Sequence, residues 1–330
     1  MLVRLRTIVA GLVVLGLTLP LTVAEKPEIA VRKANAVLWR DPQDITSRDL
    51  FYGPGGEKDQ PHAPFTFVKE DLEGTNAKFV VRDRDGVEWK VKMGVEARPE
   101  TVATRLVWAV GYAADEDYFL PEITVANMPR HLHRGQKYVK RGGSILSVRL
   151  KREDTKKIGI WKWRDDPFTG TRELNGLRVM MAVLNNWDQK DKNNAIHPEG
   201  DTQVYLVSDL GSSFGATGLT LPLSKAKGNL KSYSHSKFIR RTTATTVDFA
   251  VPSRPALLFI FKPRDFFQRI PMRSLGRNIP RADARWVGDL LSRLSDRQIQ
   301  DAFRAAGYSP EQIEGFSKVV KRRVAMLSEL

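Results

Sequence analysis

The 330-residue chain contains no cysteine. That absence excludes disulfide scaffolds, zinc–thiolate sites, iron–sulfur centres and thiol nucleophiles together. Histidine is scarce, five in all, and His131-x-His133 has no carboxylate at helical spacing beside it, so it reads as a polar loop rather than a metal site. There is no G-x-G-x-x-G, and no run after residue 24 is long and apolar enough to span a bilayer. Ala256–Phe261 is only the size of a core strand. Nor does a zinc finger, basic zipper or RNA-binding aromatic motif accompany the basic clusters Lys137–Arg141, Lys237–Arg241 and Lys318–Arg323. The net charge of +15 therefore reads as a solvated basic surface, suited to phosphates, nucleotides or anionic membrane faces and arguing against nucleic acid.

What is present begins with Arg4 and Arg6, followed by an uncharged stretch over Thr7–Ala24 that closes on small residues. This is the pattern of a secretory signal, with an uncleaved anchor as the alternative. Either reading expects an exported protein, periplasmic or extracellular, with membrane contact through the N-terminal segment. Residues 25–64 are polar and broken by Gly53-Pro54-Gly55-Gly56 and two further prolines, as in a surface leader. Alternation then predicts strands at Phe65–Glu70, Lys78–Asp83 and Glu88–Met93, joined by turns at Glu73-Gly74-Thr75-Asn76 and Asp85-Gly86. Pro99 opens a helix running to about Val110. Asp115-Glu116-Asp117 reads as a solvated turn, and Trp161 and Trp163 as the buried side of a strand. Helical spacing returns over Glu173–Asn186 and dominates from Ala282 onward, with Ser295 and Ser309 as caps.

The chemistry is concentrated in Asn185–Gly211. Asp188 and Asn193, four residues apart between them, follow a helix; Asp209, in Ser208-Asp209-Leu210-Gly211, ends a strand. Phosphoryl transfer needs such a set: one carboxylate to orient an acceptor hydroxyl, then an amide oxygen and a second carboxylate for a divalent metal. Hard oxygen donors suit Mg²⁺ or Mn²⁺. Asp-x-x-x-x-Asn alone arises about once by chance in a chain this long, so its weight comes from the ordered pairing with Asp209. Lys90 and Lys92 share one face of the third strand. Lys92, next to the strand's end, is the better partner for phosphates, with Glu100 of the following helix to orient it and Glu96 as the alternative. Gly74 and Thr75 could present backbone N–H groups and a hydroxyl to phosphate, or simply make the hairpin turn.

This order, a Gly-Thr turn, a strand lysine, a helix glutamate, Asp-x-x-x-x-Asn and Asp-Leu-Gly, resembles the atypical protein-kinase-like superfamily. That group includes the HipA-type bacterial kinases, the phosphoinositide-kinase-like enzymes and the secretory-pathway casein-type kinases. The resemblance implies an α+β, two-lobed fold, with an antiparallel-sheet N-lobe over residues 65–135 and a mainly helical C-lobe over 136–330. It implies ATP or another nucleotide and Mg²⁺ or Mn²⁺ as cofactors, and a protein, lipid or small-molecule acceptor. Asp188 would be the catalytic base, Asn193 and Asp209 the metal ligands, and Lys92, with Glu100, Gly74 and Thr75, the nucleotide-binding set. Trp187 and Gln189 stand where the family carries His or Arg around the catalytic Asp. A catalytically silent pseudokinase serving as an envelope scaffold, and a basic polyanion-binding protein, are the alternative functions.

Overall fold

Phe79 and Val81 alternate inward on one strand and Trp89, Val91 and Met93 on the next, and that shared apolar face is too large for a three-stranded meander to cover. The chain solves this by closing a barrel. The computed structural model describes residues 35–74, 76–153, 157–216, 226–250, 267 and 271–330. The expected signal segment 1–24, Thr75 and the core-strand candidate 256–261 lie outside them.

The described elements run β1 (Ala36–Val37), β2 (Phe65–Asp71), β3 (Lys78–Arg82), β4 (Glu88–Met93), α1 (Ala97–Ala109), β5 (Asp117–Ala126) and β6 (Ser144–Arg152). They continue with α2 (Arg172–Val183), β7 (Asn194–Glu199), β8 (Thr202–Val207), α3 (Leu230–His235), β9 (Ile239–Thr242), β10 (Thr246–Phe249) and β11 (Ile279–Pro280). Three helices close the chain: α4 (Arg281–Ser292), α5 (Asp296–Ala305) and α6 (Pro310–Ser328). The fold is mixed α+β.

The barrel order is β2-β3-β4-β6-β5, antiparallel except where β2 meets β5 in parallel to close it. Its interior is one hydrophobic core, built on Phe79, Trp89, Val91, Ile145, Val148 and Leu150. A second, larger core joins α1 and α2 to the C-terminal helices, and the two lie within one compact unit spanning Ala34–Leu330. Ser295 and Ser309 each cap a helix in a reciprocal box with Gln298 and Gln312, so two orphan N-terminal donors per helix are satisfied.

Three expectations change. The leader is not merely superficial from residue 35 onward: β1 pairs in parallel with β8, and Leu38, Ile45 and Leu50 are buried. Trp161 and Trp163 are buried but sit in an irregular turn, stacked edge to face at 4.8 Å. Asp115 and Asp117 are not solvated. Asp117 begins β5 and meets Arg105 of α1 at 2.7 Å with both side chains buried, while Asp115 takes Lys151 at 2.6 Å. A local acidic run looks exposed in sequence because its cationic partners are distant along the chain.

The Arg105–Asp117 pair locks α1 to the barrel, with Thr104 also donating to Asp117 at 3.1 Å. Breaking such a pair strands a buried charge, which costs about 3–5 kcal/mol. Asp117→Ala is therefore expected to lose about that much stability in urea unfolding, and Arg105→Met/Asp117→Leu to recover most of it. A single-variant loss below about 1 kcal/mol would show that the pair is not a lock.

Candidate active site

Lys92 stands on β4 with its side chain on the face opposite Trp89, Val91 and Met93. One turn of α1 brings Glu96 and Glu100 to the same side. The ammonium lies 2.7 Å from Glu100 Oε2, 3.1 Å from Glu96 Oε2 and 2.5 Å from Asp209 Oδ1. The three carboxylates offer oxygens within 4.8 Å of one another. Lys90 turns instead to Asp71 and Glu153, each at 3.1 Å.

The second oxygen of Glu100 accepts from Arg149 at 2.7 Å, and Arg149 is buried directly opposite Lys92 in the β4/β6 register. Glu96 is further held by Asn76, which donates at 2.6 Å, and by Lys227, whose ammonium also lies 5.6 Å over the Trp187 ring. Arg149 and Lys227 were not singled out from sequence, and Asn76 was read only as part of the Gly74-Thr75-Asn76 turn. Gly74 lies in the cleft wall beside Asn76.

Burial opposes the charged form of each group here, and the outcome depends on the neighbours. For Lys92, Asp209, Glu100 and Glu96 outweigh burial and hold the ammonium pKa above the ordinary lysine value. For Asp209, Lys92 overcomes burial and keeps the carboxyl well below the usual range. Glu96 is likewise lowered against burial by Lys92 and Lys227. Glu100, the deepest, stays raised because burial exceeds what Arg149 and Lys92 return.

Asp209 follows β8 in the left-handed region, φ +55°, which is uncommon for a non-glycine residue and tolerated best by Asp and Asn. Gly211 lets this segment approach α1: a Cβ there would lie 2.6 Å from that of Glu96. Of the cluster's carboxylates, Asp209 is the accessible one, its side chain 40% exposed against 7% for Glu96 and 1% for Glu100.

The loop carrying Asp188 is anchored by amides. After α2 the chain turns through Asn185 at φ +54°, whose Nδ2 donates to the Gly215 carbonyl at 2.6 Å. Asn186 Nδ2 donates to Ser213 Oγ at 3.1 Å, and the Trp187 N–H to the Ser212 carbonyl at 3.2 Å. Asn193 Nδ2 closes the loop on the Asp188 carbonyl at 2.7 Å, and the Ser208 N–H donates to the Asn193 carbonyl at 2.9 Å. The Asp188 carboxylate meets the Lys190 ammonium at 3.0 Å. Ser212, Ser213 and Phe214, in the loop after Asp209, are buried.

Asp188, Asn193, Asp209, Lys92, Glu100 and Gly74 all line one cleft of about 1270 Å³. Its residues offer cations for an anionic ligand and hard oxygens for a divalent metal. The donor set fits Mg²⁺ or Mn²⁺ through the Asp209 carboxylate and the Asn193 amide oxygen, whose Nδ2 is already committed to the loop.

No family model matches the chain, and no curated protein matches it. Among solved structures it is similar to the Helicobacter pylori proinflammatory kinase CtkA, at 11% sequence identity and a TM-score of 0.46 over 82% of this chain and 98% of that one. So distant a likeness leaves the activity of this chain to its own side chains.

Replacing Lys92 by Met leaves three carboxylates facing one another and must raise their pKa values. In the parent chain the lowered groups, Asp209 and Glu96, contribute stability above about pH 4 that is lost as pH falls through their folded values. Lys92 contributes below about pH 10.4, and that contribution is lost only as pH rises through its raised value. Glu100 alone runs the other way. In Lys92→Met, Asp209 and Glu96 lose their main counter-charge and keep only Lys227 and Arg149, so stability should gain less than in the parent as pH rises from about 4 to 7. Urea midpoints at pH 5 and 7.5 check this; parallel profiles for variant and parent would refute it.

Proposed function

We propose that the chain is an atypical kinase-like phosphotransferase that takes a metal–nucleotide complex into this cleft. The N-terminal pattern adds the proposal that it works after export. The reading rests above all on Lys92, Glu100 and Asp209 meeting at one ammonium, from a strand, a helix and a strand exit that are far apart in sequence. Asp188 and Asn193 line the same cleft.

Each residue has a task that its surroundings support. Lys92 supplies positive charge to nucleotide phosphates, and Glu100, held from its other side by Arg149, fixes the direction of that ammonium. Asp188, oriented by Lys190 and by the amide clamp from Asn193, accepts the proton of an acceptor hydroxyl as the hydroxyl oxygen attacks the terminal phosphorus and the nucleoside diphosphate leaves. A bound Mg²⁺ or Mn²⁺ supplies charge neutralisation for the phosphates, with Asp209 and Asn193 as its protein ligands. Positioning and electrostatics, rather than a covalent enzyme intermediate, carry the reaction.

A silent nucleotide-binding module is the second reading. Trp187 and Gln189 beside Asp188, both buried, favour it, since neither can serve as a proton relay there.

Three measurements separate these. Mg-ATP should raise the melting temperature of the parent chain, and Asp209→Asn should abolish that rise relative to its own unliganded state. Asp188→Asn should keep the rise and lose phosphate transfer from γ-labelled ATP by about a hundredfold or more. A rise without transfer in the parent chain would favour the silent module. No rise with any nucleoside triphosphate would overturn both.

A further inference from the structure

A second cavity, of about 340 Å³, shares Lys190 and Lys192 with the cleft but extends to Trp163, Met272 and Leu275. That volume lies in the range of small-ligand pockets. Its apolar part is formed by those three side chains with Pro271. Four cationic side chains, Lys162, Arg164, Lys190 and Lys192, line it against two carboxylates, Asp165 and Asp191. Cations still outnumber carboxylates by two: Asp165 faces Lys162 at 3.5 Å, Asp191 accepts from the Trp163 N–H at 3.1 Å, and Arg164 donates to the Pro271 carbonyl at 2.9 Å. Lys192 makes no ion pair among the described residues, and Lys162 is 59% exposed.

The wall also holds polar atoms without partners. Gln189 and Trp163 are each 5% exposed, and Gln189 Oε1 and Trp163 Nε1 have no hydrogen-bond partner among the described residues. The Gln189 amide is fixed by its Nε2, which donates to the Asn186 carbonyl at 3.1 Å. Both atoms lie beneath the wall surface, so the chemistry the cavity offers a ligand is set by its cations and apolar side chains.

We propose that this pocket binds a small amphiphilic anion, its apolar body against Trp163, Met272 and Leu275 and its acidic head toward Lys162, Arg164 and Lys192. The proposal goes beyond the phosphotransferase reading and does not depend on it. Lys190 gives the pocket a route to the cleft, because a second anion there competes with Asp188 for the same ammonium.

Calorimetric titration of the full chain with naphthalene-1-sulfonate tests this, with neutral 1-naphthalenemethanol as the comparison. One saturable site is expected, about tenfold weaker for the neutral compound and for Lys162→Glu/Lys192→Glu, a difference of about 1.4 kcal/mol. Filling the pocket with Met272→Trp should abolish binding; if melting shows that variant unfolded, Leu275→Phe takes its place. No saturable binding, or affinity unchanged by both the charge reversal and the filling, overturns the proposal. Neither result bears on Mg-ATP binding in the cleft, so the two readings fail separately.

Discussion

The Lys92 ammonium is the point on which the rest of the site depends. A buried charge survives only when paired and hydrogen-bonded. Here three carboxylates converge on it from α1 and from the end of β8. Each contribution fixes something larger. The β4/β6 register sets Arg149 opposite Lys92, the turn of α1 sets Glu96 above Glu100, and the left-handed backbone at Asp209 turns its carboxylate back toward the barrel. Gly211 removes the one side chain that would keep the β8 exit away from Glu96. Barrel, helix and the loop after β8 are thus tied electrostatically as well as by packing.

That dependence also explains what could be read in the sequence. Lys92 and Glu100 were legible because strand parity and helical spacing are local rules, and the structure brings their charges to 2.7 Å. The strands β2 to β4, α1 and the last three helices were legible for the same reason. Arg149 was not, because its partnership follows from β4 pairing with β6 rather than with another neighbour. Its place between Val148 and Leu150 gave little hint of a charged partner, because Lys151 and Arg152 make the end of that strand basic throughout. Closure of the barrel by β5 was hidden too: that strand opens on acidic residues and carries Pro121, both poor strand signals. Lys227 belongs to no pattern and enters the cleft through tertiary structure alone.

The loop over Asp188–Asn193 illustrates a different economy of residues. Three amides, Asn185, Asn186 and Asn193, do the holding, each by donating its Nδ2 to a carbonyl or hydroxyl. An amide can donate on one side and present an oxygen on the other, which a carboxylate cannot do. Asn193 can thus close the loop through Nδ2 and leave its oxygen uncommitted, which is the structural meaning of the Asp-x-x-x-x-Asn spacing.

The charge balance around Lys92 bears directly on the proposed reaction. Nucleotide phosphates entering the cleft meet not a free lysine but one shared among three carboxylates, so their attraction to Lys92 is opposed by repulsion from Glu96 and Asp209. Lys227 offsets Glu96 and Arg149 offsets Glu100. Asp209 makes no second ion pair among the described residues, although Arg149 and Lys227 also help to lower its pKa, and it is the accessible member of the set. On the proposed reading, Asp209 would hold a divalent ion, whose charge would offset that repulsion and leave Lys92 available to phosphate. On this reading metal dependence follows from an arrangement in which Asp209 is the carboxylate that a metal can reach.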